Sequence, residues 1–343
     1  MSLKVTGKLP SGKLLKQLKK SPNYKVKGFQ NLSYTPVMSE DASYWKMIVD
    51  ALSKNKDVKP PSELPSVKTD LKNLKGDQPV IVWFGHSSYF IRIANKNILV
   101  DPVFSGNAAP VTFMVKAFPG SDVYKPEDMP AIDYLILTHD HYDHLDFKTI
   151  WKLKNKISKV ICSLGISSHL KYWGLQEKEI TELDWWESTQ VDEMISFTAA
   201  PARHFSGRGI KRGQTLWSSF ILKTPTHNLY LGGDSGYDFH FKEIGNKYGP
   251  FDMAILETGQ YNTMWPLIHM MPEETVQATI DLKAKSLLPV HWGKFTLAMH
   301  AWNDPIKRVS AKARELNILV HTPLIGQLFT LDGHFHSTSW WEM

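Results

Sequence analysis

The sequence predicts a layered α/β domain. Short apolar runs at Val80–Phe84, Tyr89–Ile93 and Ile98–Val100 are separated by turn-forming residues, which indicates an antiparallel meander. From residue 134 onward, further apolar runs alternate with helical patterns, as is typical of strand–helix units. The chain is 42% hydrophobic and 22% charged, so its composition is that of a globular protein and excludes disordered and collagen-like classes.

The later strands and helices are predicted in the same way, from apolar runs and from helical patterns. The remaining strand candidates are Tyr134–Leu137, Val160–Cys162, Ile195–Ala199, Phe220–Leu222, Leu229–Leu231, Met253–Leu256 and Leu287–Val290. The clearest helix is Pro272–Leu282, because proline is favoured in a first helical turn and Glu273 and Glu274 lie beside the positive end of the helix dipole.

A Pro- and Lys-rich stretch, residues 57–71, predicts the boundary between two parts of the chain. We assign residues 1–70 to a basic N-terminal extension and linker that packs on the main domain, and residues 71–343 to that domain. Residues 11–20 predict a short helix with leucines on one face. That face suits either docking on the main domain or contact with an anionic membrane surface.

The charge distribution argues against a nucleic-acid-binding function. Residues 1–39 carry eight of the 40 basic residues, all of them lysines, and no acidic residue, so residues 40–343 carry 32 basic and 34 acidic residues. A nearly neutral body lacks the clustered cations that phosphate backbones require. No apolar run reaches the roughly 20 residues that cross a bilayer. The single cysteine, Cys162, lies in an apolar run and is predicted to be buried, and a chain without disulfides fits the cytoplasm.

The most informative segment is His139–His144, which reads His-Asp-His-Tyr-Asp-His directly after an apolar run. Imidazole and carboxylate groups suit zinc-like ions, and alternate positions of an irregular loop let His139 and His141 face one ion while Asp143 and His144 face another. Three further candidates each follow the end of an apolar run: His204, Asp234 and His291. A carboxylate at Asp234 is able to bridge both ions.

Taken in order, these seven residues resemble the ligand signature of the metallo-β-lactamase superfamily of dinuclear hydrolases. Within that superfamily, the chain is most similar to the N-acylphosphatidylethanolamine-hydrolysing phospholipase D family, over roughly residues 79–300. The segments that carry the similarity are Trp83–Ser88, Leu99–Phe104, Ser235–Asp252, His269–Glu274 and His291–Phe295. The resemblance implies that residues 71–343 form a four-layer αββα metallo-β-lactamase sandwich with hydrolase activity.

The resemblance also implies the ligand sets. One zinc would be held by His139, His141 and His204, the other by Asp143, His144 and His291, and Asp234 would be shared. Iron, manganese and cobalt are alternatives, because His/Asp sites accept them as well.

Three residues receive catalytic roles in this interpretation: Asp143, Asp234 and His269. His269 matches the family position that meets the substrate phosphate, where it would orient the phosphate or protonate the leaving group. The implied enzyme is a dinuclear zinc-dependent phosphodiesterase of phospholipase D type. It would hydrolyse N-acylphosphatidylethanolamine-like phospholipids to phosphatidic acid and N-acyl ethanolamine through a metal-bridging hydroxide.

The positions of two residues near the ligands indicate supporting roles. Asp101, at the end of the Ile98–Val100 run, is the expected hydrogen-bond acceptor for a ligand imidazole. His86 either lines the site or bonds backbone, and we leave it out of the ligand set. The segment 233–236, Gly-Asp-Ser-Gly, resembles the nucleophile segment of trypsin-like proteases, but Tyr237 follows where those enzymes have glycine.

The partners follow from the implied activity: a phospholipid substrate, peripheral contact with a membrane, a homodimer, and no nucleic acid. In the apolar stretch 107–120, the residues Phe113, Met114, Val115 and Phe118 are either a lip for acyl chains or ordinary core.

Three other functions are alternatives to this interpretation. A lactonase resembling the ascorbate-phosphate lactonases would act on a soluble substrate, and an RNA-processing nuclease would share the His-x-His-x-Asp-His segment. The near-neutral body disfavours the nuclease. A non-enzymatic lipid-binding or scaffold protein is disfavoured because all seven ligand positions are filled.

Overall fold

A computed structural model describes residues 4–39, 56–333 and 338–343, so residues 40–55 of the predicted extension lie outside the described ranges. The strands are β1 Val80–Trp83, β2 Tyr89–Ile93, β3 Lys96–Val100, β4 Ile132–Leu137, β5 Ile157–Ser163, β6 Ile180–Leu183, β7 Ser188–Gln190, β8 Ser196–Pro201, β9 Ser218–Lys223, β10 Asn228–Leu231, β11 Met253–Glu257, β12 Ser286–Val290, β13 Leu319–Val320 and β14 Leu328–Thr330. The α-helices are α1 Gly12–Leu18, α2 Phe147–Leu153, α3 Ser167–Tyr172, α4 His240–Tyr248, α5 Pro272–Asp281 and α6 Asp304–Glu315.

The strands form two seven-stranded mixed sheets of matching design. The first has the order β14-β1-β2-β3-β4-β5-β6 and the second β13-β12-β11-β10-β9-β8-β7. In the first sheet, β14 and β1–β3 pair antiparallel, whereas β3–β6 pair in parallel. In the second sheet, β7–β10 pair antiparallel and β10–β13 in parallel. The meander and the later strand–helix units that the sequence predicts are both present.

Three apolar clusters define the layers. The inner faces of the sheets meet in a core that includes Ile91 and Ile136 from the first sheet and Phe220 and Ile255 from the second. Ile150 of α2 and Leu170 of α3 cover the outer face of the first sheet. The outer face of the second sheet packs against α4, α5 and α6 through Ile244, Val276 and Val309. The predicted four-layer αββα sandwich is therefore confirmed.

The strand ends that carry polar residues lie together at one edge of the sandwich. Carboxyl ends of parallel strands meet at the same edge of a sheet, so the loops that follow β10 and β12 lie at one edge of the second sheet. The loop that follows β4 in the first sheet meets this edge, because Thr138 O accepts from the Ser218 N–H at 3.1 Å. The chain turns sharply at this edge. Gly233, in the loop after β10, lies so close to the loop after β4 that a Cβ atom there would be 2.9 Å from the Cβ of Thr138. His291, directly after β12, has a φ of 68°, which is rare for a residue other than glycine and is typical of functional sites.

The N-terminal extension packs on α3 and on loops at the edge that carries the site. Leu18 of α1 is buried in a cluster with Phe29, Trp185 and Trp217, so the apolar side of this helix docks on the domain. Residues 29–39 then run past the loop after β8. None of the helices in the described ranges combines the length and the hydrophobicity that a bilayer-spanning segment needs.

Candidate metal centre

The structure brings all seven predicted ligands together at the strand-end edge, in two groups that share Asp234. The potential ligand atoms within each group lie within 4.8 Å of one another. The first group consists of His139, His141, His204 and Asp234, and the second consists of His86, Asp143, His144 and His291. Asp234 lies between the two groups, because its Oδ2 faces His139 of the first group and its Oδ1 faces His144 of the second.

In the first group, four ligand atoms face one point. His141 Nδ1 lies 3.0 Å from His139 Nε2 and 3.2 Å from His204 Nε2. Asp234 Oδ2 lies 3.7 Å from both of those Nε2 atoms. In a tetrahedral zinc site with metal–ligand distances of about 2.0–2.1 Å, neighbouring ligand atoms are about 3.3 Å apart. The four atoms therefore have the spacing of a tetrahedral cation site.

The second group meets the other oxygen of Asp234. Asp234 Oδ1 lies 3.1 Å from His144 Nε2 and 3.2 Å from His291 Nδ1. Asp143 Oδ2 lies 3.6 Å from His144 Nε2 and 2.9 Å from His86 Nε2. Although His144 Nε2 and Asp234 Oδ1 lie 3.1 Å apart, their geometry is not that of a hydrogen bond, and both atoms are buried without another partner. Because buried polar atoms are normally partnered, these two atoms indicate a place for an ion.

The protonation states suit cation binding. Burial lowers the pKa of His139 and His204 well below the usual value, so both rings are neutral, the form that binds metals. Burial alone would raise the pKa of Asp143 and Asp234, but the nearby imidazole of His144 lowers both below the usual range. The pKa of His144 itself is raised well above its usual value, because the two carboxylates outweigh its burial. A proton on His144 thus balances the carboxylates, and a divalent cation would displace it.

Hydrogen bonds behind the ligands fix the orientation of their rings. Asp101 is 1% exposed, and its Oδ2 accepts from His144 Nδ1 at 2.8 Å and from Thr138 Oγ1 at 2.6 Å. Asp101 is therefore the acceptor that the sequence predicts. His204 Nδ1 donates to the backbone oxygen of Ile268 at 2.8 Å. In both ligands the Nδ1 hydrogen is held, which leaves Nε2 for a metal.

His269 lies over both groups and is held by a carboxylate. Its ring centroid is 5.0 Å from that of His204 and 5.2 Å from that of His291. His269 Nδ1 donates to Glu257 Oε2 at 3.1 Å, and the Met270 N–H donates to Glu257 Oε1 at 2.8 Å. Burial raises the pKa of Glu257 to about 7. The pKa of His269 is raised as well, because Glu257 outweighs the opposing effect of burial.

Two residues of the site lie outside the predicted ligand set. The structure favours the first alternative for His86, because its fully buried ring lines the site and contacts Asp143 directly. Glu257 is the last residue of β11, and the predicted strand stops one residue earlier, at Leu256. The signal that identified His204, Asp234 and His291, a polar residue directly after an apolar run, applies equally to Glu257.

Other candidate residues have less direct roles. Cys162 is fully buried, and burial raises the pKa of its thiol well above the usual value, which agrees with the predicted structural role. The stretch considered as a lip is divided: Phe113 is 74% and Met114 47% exposed, whereas Phe118 is buried between the sheets. Of the two alternatives, ordinary core is therefore correct for Phe118.

Comparisons with known proteins agree with this architecture. A family model described as a beta-lactamase superfamily domain matches residues 96–292. Protein Rv0906 of Mycobacterium tuberculosis is 37% identical over 338 residues, which cover 94% of this chain and 88% of Rv0906. The N-acyl-phosphatidylethanolamine-hydrolyzing phospholipase D 1 of Caenorhabditis elegans is 30% identical over 232 residues, which cover 63% of this chain and 64% of that protein. The resemblance found in the sequence is thereby confirmed for about two thirds of each chain.

A solved structure gives the same answer for the fold. Igni18, a metallo hydrolase from Ignicoccus hospitalis, superposes with a TM-score of 0.56 at 19% identity, over 76% of this chain and 100% of Igni18. At this identity the likeness concerns the fold alone.

Proposed function

Because the chain belongs to the beta-lactamase superfamily, as a metal-dependent hydrolase, we propose that it is a dinuclear phosphodiesterase of phospholipase D type. Its substrate would be an N-acylphosphatidylethanolamine-like phospholipid, and its products phosphatidic acid and an N-acyl ethanolamine. The observation that carries the reaction class is the arrangement of two cation-binding groups, bridged by Asp234, beneath a histidine that a carboxylate holds. The partial similarity to the phospholipase D of Caenorhabditis elegans supports the choice of lipid.

The residues present fit two divalent cations, for which zinc is the first candidate because histidine and carboxylate ligands suit it. Such ions, when bound, supply a nucleophile from water at neutral pH and neutralise charge on a phosphodiester. Asp234 holds the two binding groups at a fixed separation, and Asp143 contributes a second negative charge to one of them.

His269 supplies the proton in this mechanism. Its Nδ1 hydrogen is engaged by Glu257, so the opposite ring nitrogen is the one that can serve the substrate. Because Glu257 raises the pKa of His269, the ring retains its second proton closer to neutral pH. Cleavage of the phosphorus–oxygen bond leaves an alkoxide of poor stability, and transfer of this proton to the leaving oxygen yields the free ethanolamide hydroxyl.

The surroundings of the site support an anionic lipid as substrate. A cavity of about 630 Å³ opens beside His204, and its lining includes Lys25, Lys27 and Arg212 but no acidic residue among those described. At its border, Val26 is 94% exposed between two lysines, and Ile210, before Lys211 and Arg212, is fully exposed. Exposed apolar residues flanked by cations suit the surface of an anionic bilayer.

The test is hydrolysis by the purified, zinc-loaded protein. It is incubated with N-acylphosphatidylethanolamine vesicles, with and without a chelator, and both products are measured by mass spectrometry. We expect chelator-sensitive release of phosphatidic acid and N-acyl ethanolamine in equal amounts. Turnover of a soluble phosphodiester without release from the vesicles would contradict the lipid assignment and leave the metal-dependent hydrolase in place.

A further inference from the structure

We propose that Asn31, in the N-terminal extension, is a positioning residue of the metal centre that holds the ligand His204 in place. The inference rests on the metal centre of the proposed function and adds to it a residue from a part of the chain that the sequence assigned outside the main domain.

Asn31 pairs with both backbone groups of His204. Asn31 Nδ2 donates to His204 O at 2.7 Å, and the His204 N–H donates to Asn31 Oδ1 at 3.1 Å. Trp217 Nε1 donates to the same Oδ1 at 2.9 Å, which fixes the orientation of the Asn31 amide. The Asn31 side chain thus forms with the His204 backbone the same pair of hydrogen bonds that a neighbouring β-strand would form.

The position of His204 makes this pairing important. β8 ends at Pro201, so His204 lies in irregular chain where the ladder with β9 no longer supports the backbone. The adjacent Arg203 is bound by the same segment, because its guanidinium donates to Thr35 Oγ1 at 3.0 Å and to Tyr34 O at 3.1 Å. Two successive residues of the ligand loop are therefore held by the N-terminal extension.

The second group of ligands is supported differently. His144 is held by Asp101, which follows β3, and the His291 N–H donates to His86 O at 2.9 Å, in the turn after β1. These partners belong to the strand ends of the sandwich itself. Loss of Asn31 should consequently weaken metal binding by the group that contains His204 more than binding by the group that contains His291.

The experiment is a titration of the metal-free protein with Co²⁺ alone, followed by visible absorption, for the parent and for Asn31→Ala. We expect two binding steps in the parent, of which one becomes about 10- to 100-fold weaker in Asn31→Ala, the range known for partners behind metal ligands. His204→Ala identifies which absorption band belongs to that step. Trp217→Phe removes the Nε1 donor that orients Asn31 and that also donates to Ala202 O at 3.0 Å. It should weaken the same step to a smaller extent and serves if Asn31→Ala does not fold.

Asn23→Ala is the matched control, because Asn23 anchors the same extension by donating to Asp184 Oδ1 at 2.8 Å, away from the ligands. It should bind both ions as the parent does. The inference would be overturned if Asn31→Ala bound both ions as tightly as the parent does. It would also be overturned if Asn31→Ala and Asn23→Ala each weakened both binding steps to the same extent. A parent that binds no Co²⁺ would instead refute the metal centre on which the proposed function rests.

Discussion

The substitution Glu257→Gln tests the proton-donating role of His269 most directly. Glu257 is 1% exposed and accepts two hydrogen bonds, from His269 Nδ1 and from the Met270 N–H. Glutamine has the same shape but only one oxygen, so its amide cannot satisfy both donors, and it brings no charge to stabilise protonated His269. We therefore expect the pKa of His269 to fall.

The magnitude follows from the bond that is lost. A hydrogen bond to a charged group contributes about 1.5–3 kcal/mol. At 1.36 kcal/mol per pKa unit, the basic limb of the pH–rate profile should move down by about one to two pH units. For an alkyl phosphodiester at pH 7 and above, kcat should fall about 10- to 150-fold and recover in part at lower pH.

The assay compares two soluble phosphodiesters over a pH series. An alkyl ester needs a proton on its leaving oxygen, whereas a p-nitrophenyl ester has a stable leaving group, so only hydrolysis of the alkyl ester should suffer in Glu257→Gln. Glu274→Gln is the control, because Glu274 accepts from the Met271 N–H at the start of α5 and does not contact His269. Equal losses for both esters, or an unshifted basic limb, would refute the role assigned to the pair.

Three further predictions concern other parts of the molecule. Asp234→Asn should release one of two bound zinc ions, which elemental analysis measures. Turnover should fall by more than about 100-fold, the upper end of the losses seen when a hydrogen-bond partner behind a ligand is removed. Unchanged turnover would contradict the bridging role. The double substitution Phe113→Asp and Met114→Asp should abolish sedimentation with anionic liposomes without changing the melting temperature, and unchanged sedimentation would exclude this exposed tip as a membrane contact. Burial lowers the pKa of His240 to about 3 from 6.5. Because the folded state resists protonation of His240, the contribution of this residue to the free energy of unfolding is fully present above pH 6.5 and falls by about 2 kcal/mol between pH 7 and pH 5. In denaturant unfolding, His240→Gln should lack this part of the pH dependence.

Much of the sandwich could be predicted from local patterns. The run Tyr89–Ile93 matches β2 residue for residue, and Pro272–Leu282 differs from α5 only at its last residue. The strands that were missed are short, and they include the edge strands β6, β7, β13 and β14. β7, with the sequence Ser-Thr-Gln, is mostly exposed and has no apolar face. Such a strand forms because a neighbouring strand is available to pair with it, and its own residues do not indicate this.

The metal ligands could be found because their signal is local. His139–His144 is one continuous segment, and each of the other ligands lies within a few residues of the end of an apolar run. Chemistry and spacing within a few residues are properties of the chain itself, and they predict a dinuclear centre before any fold is known.

Asp101 could be predicted from its position after β3, but only the tertiary structure decided the other residues that support that centre. Asn31 reaches His204 across 173 positions of the chain, and His86 reaches Asp143 across 57. Glu257 has its role only because the loop with His269 folds back over the end of β11. The identity of Asn31 carries no signal, and the positions of His86 and Glu257 indicate candidates without showing the residues that they contact. Their functions arise from contacts between distant segments, and packing of the two sheets and the N-terminal extension determines those contacts.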